Sequence, residues 1–304
     1  MGAQSLKNRA ASAAVKAALA WLDRDPAGNL LKLLNLIETF DNRKIWAKQL
    51  NSLKKELEQK SGILYDLVIR GFRDISKEQR NRIAEIFIFQ VLLIGNDQAD
   101  QITKRYGGLV PWTIFPSSAH SVSELEKGIQ EVRALGVHLL VFPENSFQRT
   151  EDILILGERY PDMVFFFSCS PREINRDNAE RMQKLLNCLP AVRNEQGSEE
   201  AFALLRRSRL MYGSDTLSDA ETVYDRLVTE GAVFVLVLME GLTQEEYSRV
   251  HERLTELRMN RPVMTLEFWR NESGKVIRTE IGIADETEPC TEVEADVFRT
   301  VMVK

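Results

Sequence analysis

Four short polar segments hold most of the groups in this 304-residue chain that could do chemistry together: Pro116–Ser121 (PSSAHS), Pro143–Ser146 (PENS), Ser168–Glu173 (SCSPRE) and Arg193–Gly197 (RNEQG). Ser117 and Ser118 place hydroxyls beside the imidazole of His120, and Glu144 offers a carboxylate. An imidazole and a carboxylate within hydrogen-bond reach make an acid/base pair. Ser168, Cys169, Arg193, Glu195 and Ser214 add donors, acceptors and charge for a ligand. Cys169 lies close to Arg172, whose charge could favour a thiolate, although a lone cysteine ending a strand is also an ordinary packing residue. Serines running into a helix can bind an anion or simply cap the helix. The chain has no Gly-rich phosphate loop, no nucleophile elbow and no HExxH. Its three cysteines (Cys169, Cys188, Cys290) and three histidines (His120, His138, His251) are scattered, with neither metal-ligand spacing nor a disulfide framework.

The elements that must position these segments read as an alternation. Short apolar runs predict strands at Val110–Phe115, Val137–Phe142, Met163–Ser168, Leu189–Val192, Arg209–Tyr212 and Ala232–Met239. Helical periodicity fits between them at Ser121–Leu135, Glu151–Arg159, Asn175–Leu186, Glu199–Arg207 and Asp219–Glu230. In parallel α/β sheets the chemistry sits in loops at the C-terminal ends of strands, which is where the four polar segments fall. Before the sheet, residues 1–107 read as helices only: Leu6–Asp23, Gly28–Phe40, Arg43–Lys60, shorter turns over Ile63–Phe72, and a broadly apolar helix capped by Ser76 and running to Ile94. This layer is expected to close the open edge of the sheet, the alternative being a surface on which a partner docks. After the sixth unit come a helix over Gln244–Met259, a strand Val263–Trp269, a hairpin return Lys275–Ile283 and a peripheral acidic tail from Asp285 to Asp296. The expected fold is α/β: a partial (βα)6 TIM-like barrel over 108–260, an all-α N-terminal cap, and a short C-terminal β/tail extension over 261–304.

Composition narrows the function classes. At 44% hydrophobic residues the chain can bury one large core or two modest ones, and no apolar run approaches the roughly 18 residues of a membrane span. A net charge of -5 argues against nucleic acid, although the first sixty residues are locally basic. The expectation is a soluble cytoplasmic protein.

With these units laid out, the chain resembles the radical S-adenosylmethionine enzymes, in particular a subgroup with a helical N-terminal extension and a cysteine-containing C-terminal extension. DPAGNLLKLLNLIE looks like the subgroup's N-terminal helix, while LIGNDQADQITKRYG and YGGLVPWTI look like the approach to the first barrel strand. EDILILGERYPDMVFFFSCS is similar to the second helix and third strand, and TEGAVFVLVLME to the sixth strand. EFWRNESG and IGIADETEPC resemble the closing segment. The family's catalytic motifs are absent. In the family, three cysteines spaced CxxxCxxC after the first strand hold a [4Fe-4S] cluster through thiolates; here that place reads PSSAHSVSEL. The family's GGEP segment is PENS, with Glu144 as its remnant. Of the extension's cysteines only Cys290 is left.

The resemblance therefore implies the fold and argues against the activity: no cofactor, no [4Fe-4S] cluster and no S-adenosylmethionine binding are expected. It points to a pseudoenzyme that binds a protein partner, either an active radical S-adenosylmethionine homologue or a second copy of itself, or that handles such a homologue's substrate. The alternative is a small-molecule binder or enzyme with new barrel-mouth chemistry centred on His120 and Glu144.

Overall fold

A computed structural model of the chain describes residues 13, 17–20, 24–40, 47–95, 98, 101, 113–114, 122–143, 150–216, 221–270, 276–283 and 286–290. The architecture is α/β. A nine-stranded sheet runs in strict chain order: β1 (Thr113–Ile114), β2 (Leu139–Phe142), β3 (Val164–Cys169), β4 (Cys188–Arg193), β5 (Gly213–Asp215), β6 (Phe234–Glu240), β7 (Met264–Arg270), β8 (Val276–Ile283) and β9 (Glu286–Cys290). Strands β1 to β7 pair parallel, and β8 and β9 follow antiparallel. Sequential parallel order with a helix in each connection is the half-barrel arrangement expected from the sequence.

The strands are apolar on both faces because both faces are covered. Alternation sorts them. Leu140, Phe142, Phe165, Phe167, Val192, Val235 and Val237 point outward into a core shared with the connecting helices. Those helices are α5 (Val122–Ala134), α6 (Thr150–Arg159), α7 (Arg176–Leu185), α8 (Ser198–Arg207), α9 (Glu221–Glu230) and α10 (Gln244–Asn260). Leu139, Val141, Val164, Leu189, Ala191, Leu236, Leu238, Leu266 and Phe268 point inward and pack with Ile86 and Val91. At Gly213 a Cβ would sit 2.4 Å from the Phe234 carbonyl oxygen, so the close approach of β5 to β6 excludes a larger residue.

The N-terminal helices are α1 (Pro26–Phe40), α2 (Ala47–Gln59), α3 (Ile63–Asp74) and α4 (Lys77–Glu85), continued by a π-helical segment, Ile86–Gly95. Ser76 caps α4 as expected, its hydroxyl accepting the Gln79 N–H at 3.3 Å. Three expectations are corrected here. Ile63–Phe72 is a full helix rather than turns. The helix ending at Ile94 changes winding at Ile86, because IFIFQVLLIG has almost no polar face to hold an amphipathic register; one side meets the sheet through Ile86 and Val91, and Ile88 meets Leu33 and Leu57 of the cap. The cap covers the inner face and the N-terminal ends of the strands rather than an edge. Arg70 donates to the carbonyls of Pro262, Val228 and Ala232, Gln79 accepts the Met211 N–H, and Gly95 meets Gly136 so closely that a Cβ would stand 2.5 Å from its oxygen.

Two further expectations differ. The fifth strand lies at Gly213–Asp215, not Arg209–Tyr212, since Arg209 is left-handed (φ 51°) and the Met211 N–H is taken by Gln79. The acidic tail contributes strand β9, paired with β8.

Candidate functional site

The C-terminal ends of β3, β4 and β5 form one part of the barrel mouth. Ser168 pairs in register with Ala191, Cys169 with Val192, Val192 with Ser214, and Arg193 with Asp215. Side chains alternate between faces along a strand, so neighbours in sequence cannot share a site there. Ala191 belongs to the inner core and Val192 to the outer one. Ser168, Arg193 and Asp215 are therefore placed on the inner, mouth-facing side, whereas Cys169 and Ser214 are directed at the outer helices.

Each outward residue is accounted for by packing. Cys169 is 3% exposed, and its Sγ lies 3.7 Å from the Ala191 carbonyl oxygen. Burial pushes its thiol well above the usual range; Glu173 and Asp215 push in the same direction, and Arg193 opposes them. The thiolate expected beside Arg172 is thus disfavoured, because desolvation outweighs the guanidinium that opposes it, that of Arg193. Ser214 is fully buried and donates to the Val192 carbonyl at 3.1 Å.

On the inner side, Arg193 is partly exposed and lies 3.6 Å from Glu195. Asp215 is only 3% exposed, and its carbonyl accepts the Asn194 N–H at 3.0 Å. Asn194 in turn accepts from Arg226 of α9. Below them Ser170 and Glu173 form a reciprocal cap on the turn after β3, and the second oxygen of Glu173 accepts the Thr150 N–H at 3.2 Å, tying this loop to the start of α6. A guanidinium, a carboxylate and a hydroxyl at this rim can hydrogen-bond a polar ligand. They do not form a nucleophile with a base.

Of the expected site residues, the structure brings Arg193 to Glu195, places Ser168 on the same face of the sheet, and turns Cys169 and Ser214 away. Ser117, Ser118, His120 and Glu144 lie outside the described residues. Asp215, Asn194 and Arg226 were not among the expected residues. Asp215 was hidden by the displaced fifth strand, although Gly213 before a Ser-Asp pair is the kind of small residue that marks close strand approach. Among the described residues, no group of three or more His, Cys, Asp or Glu is placed to hold a metal ion, and no helix is long and apolar enough to cross a membrane. No protein-family model, no curated protein and no solved structure matches the chain.

Proposed function

We propose that this chain is a non-catalytic scaffold of radical S-adenosylmethionine type that acts as a binding or partner subunit, for an active homologue or for that homologue's substrate. One observation carries the reading most directly: the inner face of the half-barrel is occupied from below by the chain's own π-helical segment, through Ile86 and Val91. Leu139, Val141, Ala191, Leu236, Leu238, Leu266 and Phe268 line that face, so below the mouth it is a packed apolar core rather than a polar chamber. The described thiols support the same reading, since Cys169 and Cys188 both belong to the outer core and burial keeps both protonated.

Anaerobic reconstitution with iron and sulfide tests the first half of the proposal. No stable chromophore should survive desalting; a stoichiometric [4Fe-4S] cluster would overturn it. Purification from the native host tests the second half, and an associated protein in fixed stoichiometry is the expected result. Isolation alone, together with turnover abolished by His120→Ala, would replace the proposal with the barrel-mouth enzyme.

A further inference from the structure

The cap and the half-barrel meet along a cleft of about 500 Å³ on the side opposite the mouth. One wall comes from the end of α3 and the start of α4, and the other from the ends of α7 and α8. Its charged lining is Lys77, Arg80, Arg207 and Arg209 against the single acid Glu78. This cationic excess stands in a chain whose net charge is -5. The apolar wall is Phe72, and the Arg80 guanidinium covers its ring at 4.3 Å from the centroid. The volume suits a small ligand, and a lining so polar and so positive suits a hydrophilic anion.

We propose that this cleft binds a small phosphate-bearing anion. Planar guanidinium forks match phosphate oxygens in pairs, and the arginine heads here are held in place. Arg80 Nη1 donates to the Phe72 carbonyl at 2.7 Å, and Arg209 Nη2 donates to the carbonyls of Arg73 at 3.2 Å and Ile75 at 3.3 Å. A guanidinium has five N–H donors, so the two anchors made by Nη2 of Arg209 leave capacity for a ligand. Satisfying the end of α3 explains Arg80 and Arg209. It does not explain the cavity between them, or Arg207 on its rim. Because residues of the cap and of the barrel share this site, the anion clamps the two together. The proposal is independent of the partner-subunit reading and concerns a different end of the molecule.

The test uses the full chain, inorganic pyrophosphate and orthophosphate as probes, and potassium chloride to hold ionic strength constant. Titration calorimetry is expected to give a saturable one-to-one isotherm, tighter for pyrophosphate, and the thermal midpoint should rise with occupancy. Arg207→Glu, at an exposed side chain, should weaken binding at least tenfold, and Arg207→Gln should weaken it less. Arg176→Glu makes the same charge change at the other end of α7 and should leave binding within twofold. A circular dichroism spectrum matching the parent confirms that each variant is folded. An isotherm that does not saturate, or an equal loss in Arg207→Glu and Arg176→Glu, would overturn the proposal by showing only general charge attraction.

Discussion

Cys188 shows how burial alone sets a side chain's chemistry. It lies against the Ile153 carbonyl at 3.9 Å, and desolvation pushes its thiol to about 12, with Arg181 only partly opposing. Thiolate is the reactive form, so in a Cys290→Ser background a disulfide reagent at pH 8 should modify Cys188 about a thousandfold more slowly in the native chain than in urea, and Cys169 should be slowed in the same direction. Rapid native labelling of Cys169 would restore it as a site residue. His138 gives the opposite sign of pH dependence. It is 3% exposed, its Nδ1 lies 3.1 Å from the Asp162 carbonyl oxygen, and burial lowers its pKa, with Asp162 opposing and Arg133 adding to the shift. A folded-state value below the unfolded one means that only the unfolded chain takes up the proton below about pH 6.5. Stability is then lost as pH falls, by up to about 1.4 kcal/mol per unit from this group. His138→Asn should show a smaller loss between pH 7.5 and 5 in urea midpoints, and an unchanged loss would remove His138 from the acid limb. Neither effect was legible in the sequence, which names a cysteine or histidine but not the water around it. The same holds at the mouth, where the adjacent Ser168 and Cys169 were both expected to serve, and a strand's two-residue period allows only one of them to face inward.

The strand β7 and helix α10 carry a buried charge pair made of two residue types that ordinarily face water. Arg258 is fully buried and Glu267 1% exposed, and Arg258 donates to Glu267 and, at 2.8 Å, to Thr265 and Thr255. The other oxygen of Glu267 lies 2.9 Å from His251 Nδ1, and His251 stacks on Tyr247, which stacks on Trp269 at 4.4 Å. Removing one charge strands the other away from water, so Glu267→Ala should lower stability by about 3–5 kcal/mol. The double variant Arg258→Met/Glu267→Leu should recover most of that loss, because two apolar side chains leave no charge to desolvate. Urea unfolding of the two variants decides the point, and a double variant as unstable as the single one would assign the loss to packing instead. The sequence did announce strand and helix here, since Val263–Trp269 is offset from β7 by one residue at each end and Gln244–Met259 falls one residue short of α10 at its C-terminal end alone. It misplaced β5 for a tertiary reason. The apolar Leu210-Met211-Tyr212 looks like a strand, but the Gln79 amide from a distant helix takes the Met211 N–H and the ladder begins after it.

The whole molecule is held together at the underside of the half-barrel, where one arginine of the cap serves two strand approaches. Arg70 donates to the carbonyls of Pro262 at 2.7 Å, Val228 at 3.0 Å and Ala232 at 3.2 Å, before β7 and β6 respectively. Burial lowers its pKa, and Asp74 opposes this; these acceptors replace the water that the buried guanidinium gives up. The inner core supplies the second attachment, since Ile86 is 1% exposed between the sheet and the cap. The alternation of units that revealed the half-barrel says nothing about this docking, because no periodicity encodes which carbonyls a lone arginine will reach. Each carbonyl left without a donor or water costs about 1–3 kcal/mol, so Arg70→Ala should destabilise the chain by about 3 kcal/mol or more. Ile86→Ala should cost about 2–5 kcal/mol through the cavity it leaves. The two losses have different signatures in native-state hydrogen exchange. If the cap docks as a unit on the preformed sheet, both variants should speed exchange across α3, α4 and the π-helical segment while β3 and β4 keep their protection. If exchange instead rises in all of these together, cap and barrel form a single cooperative unit, and the inner face of the sheet has no stable existence without the helix that fills it.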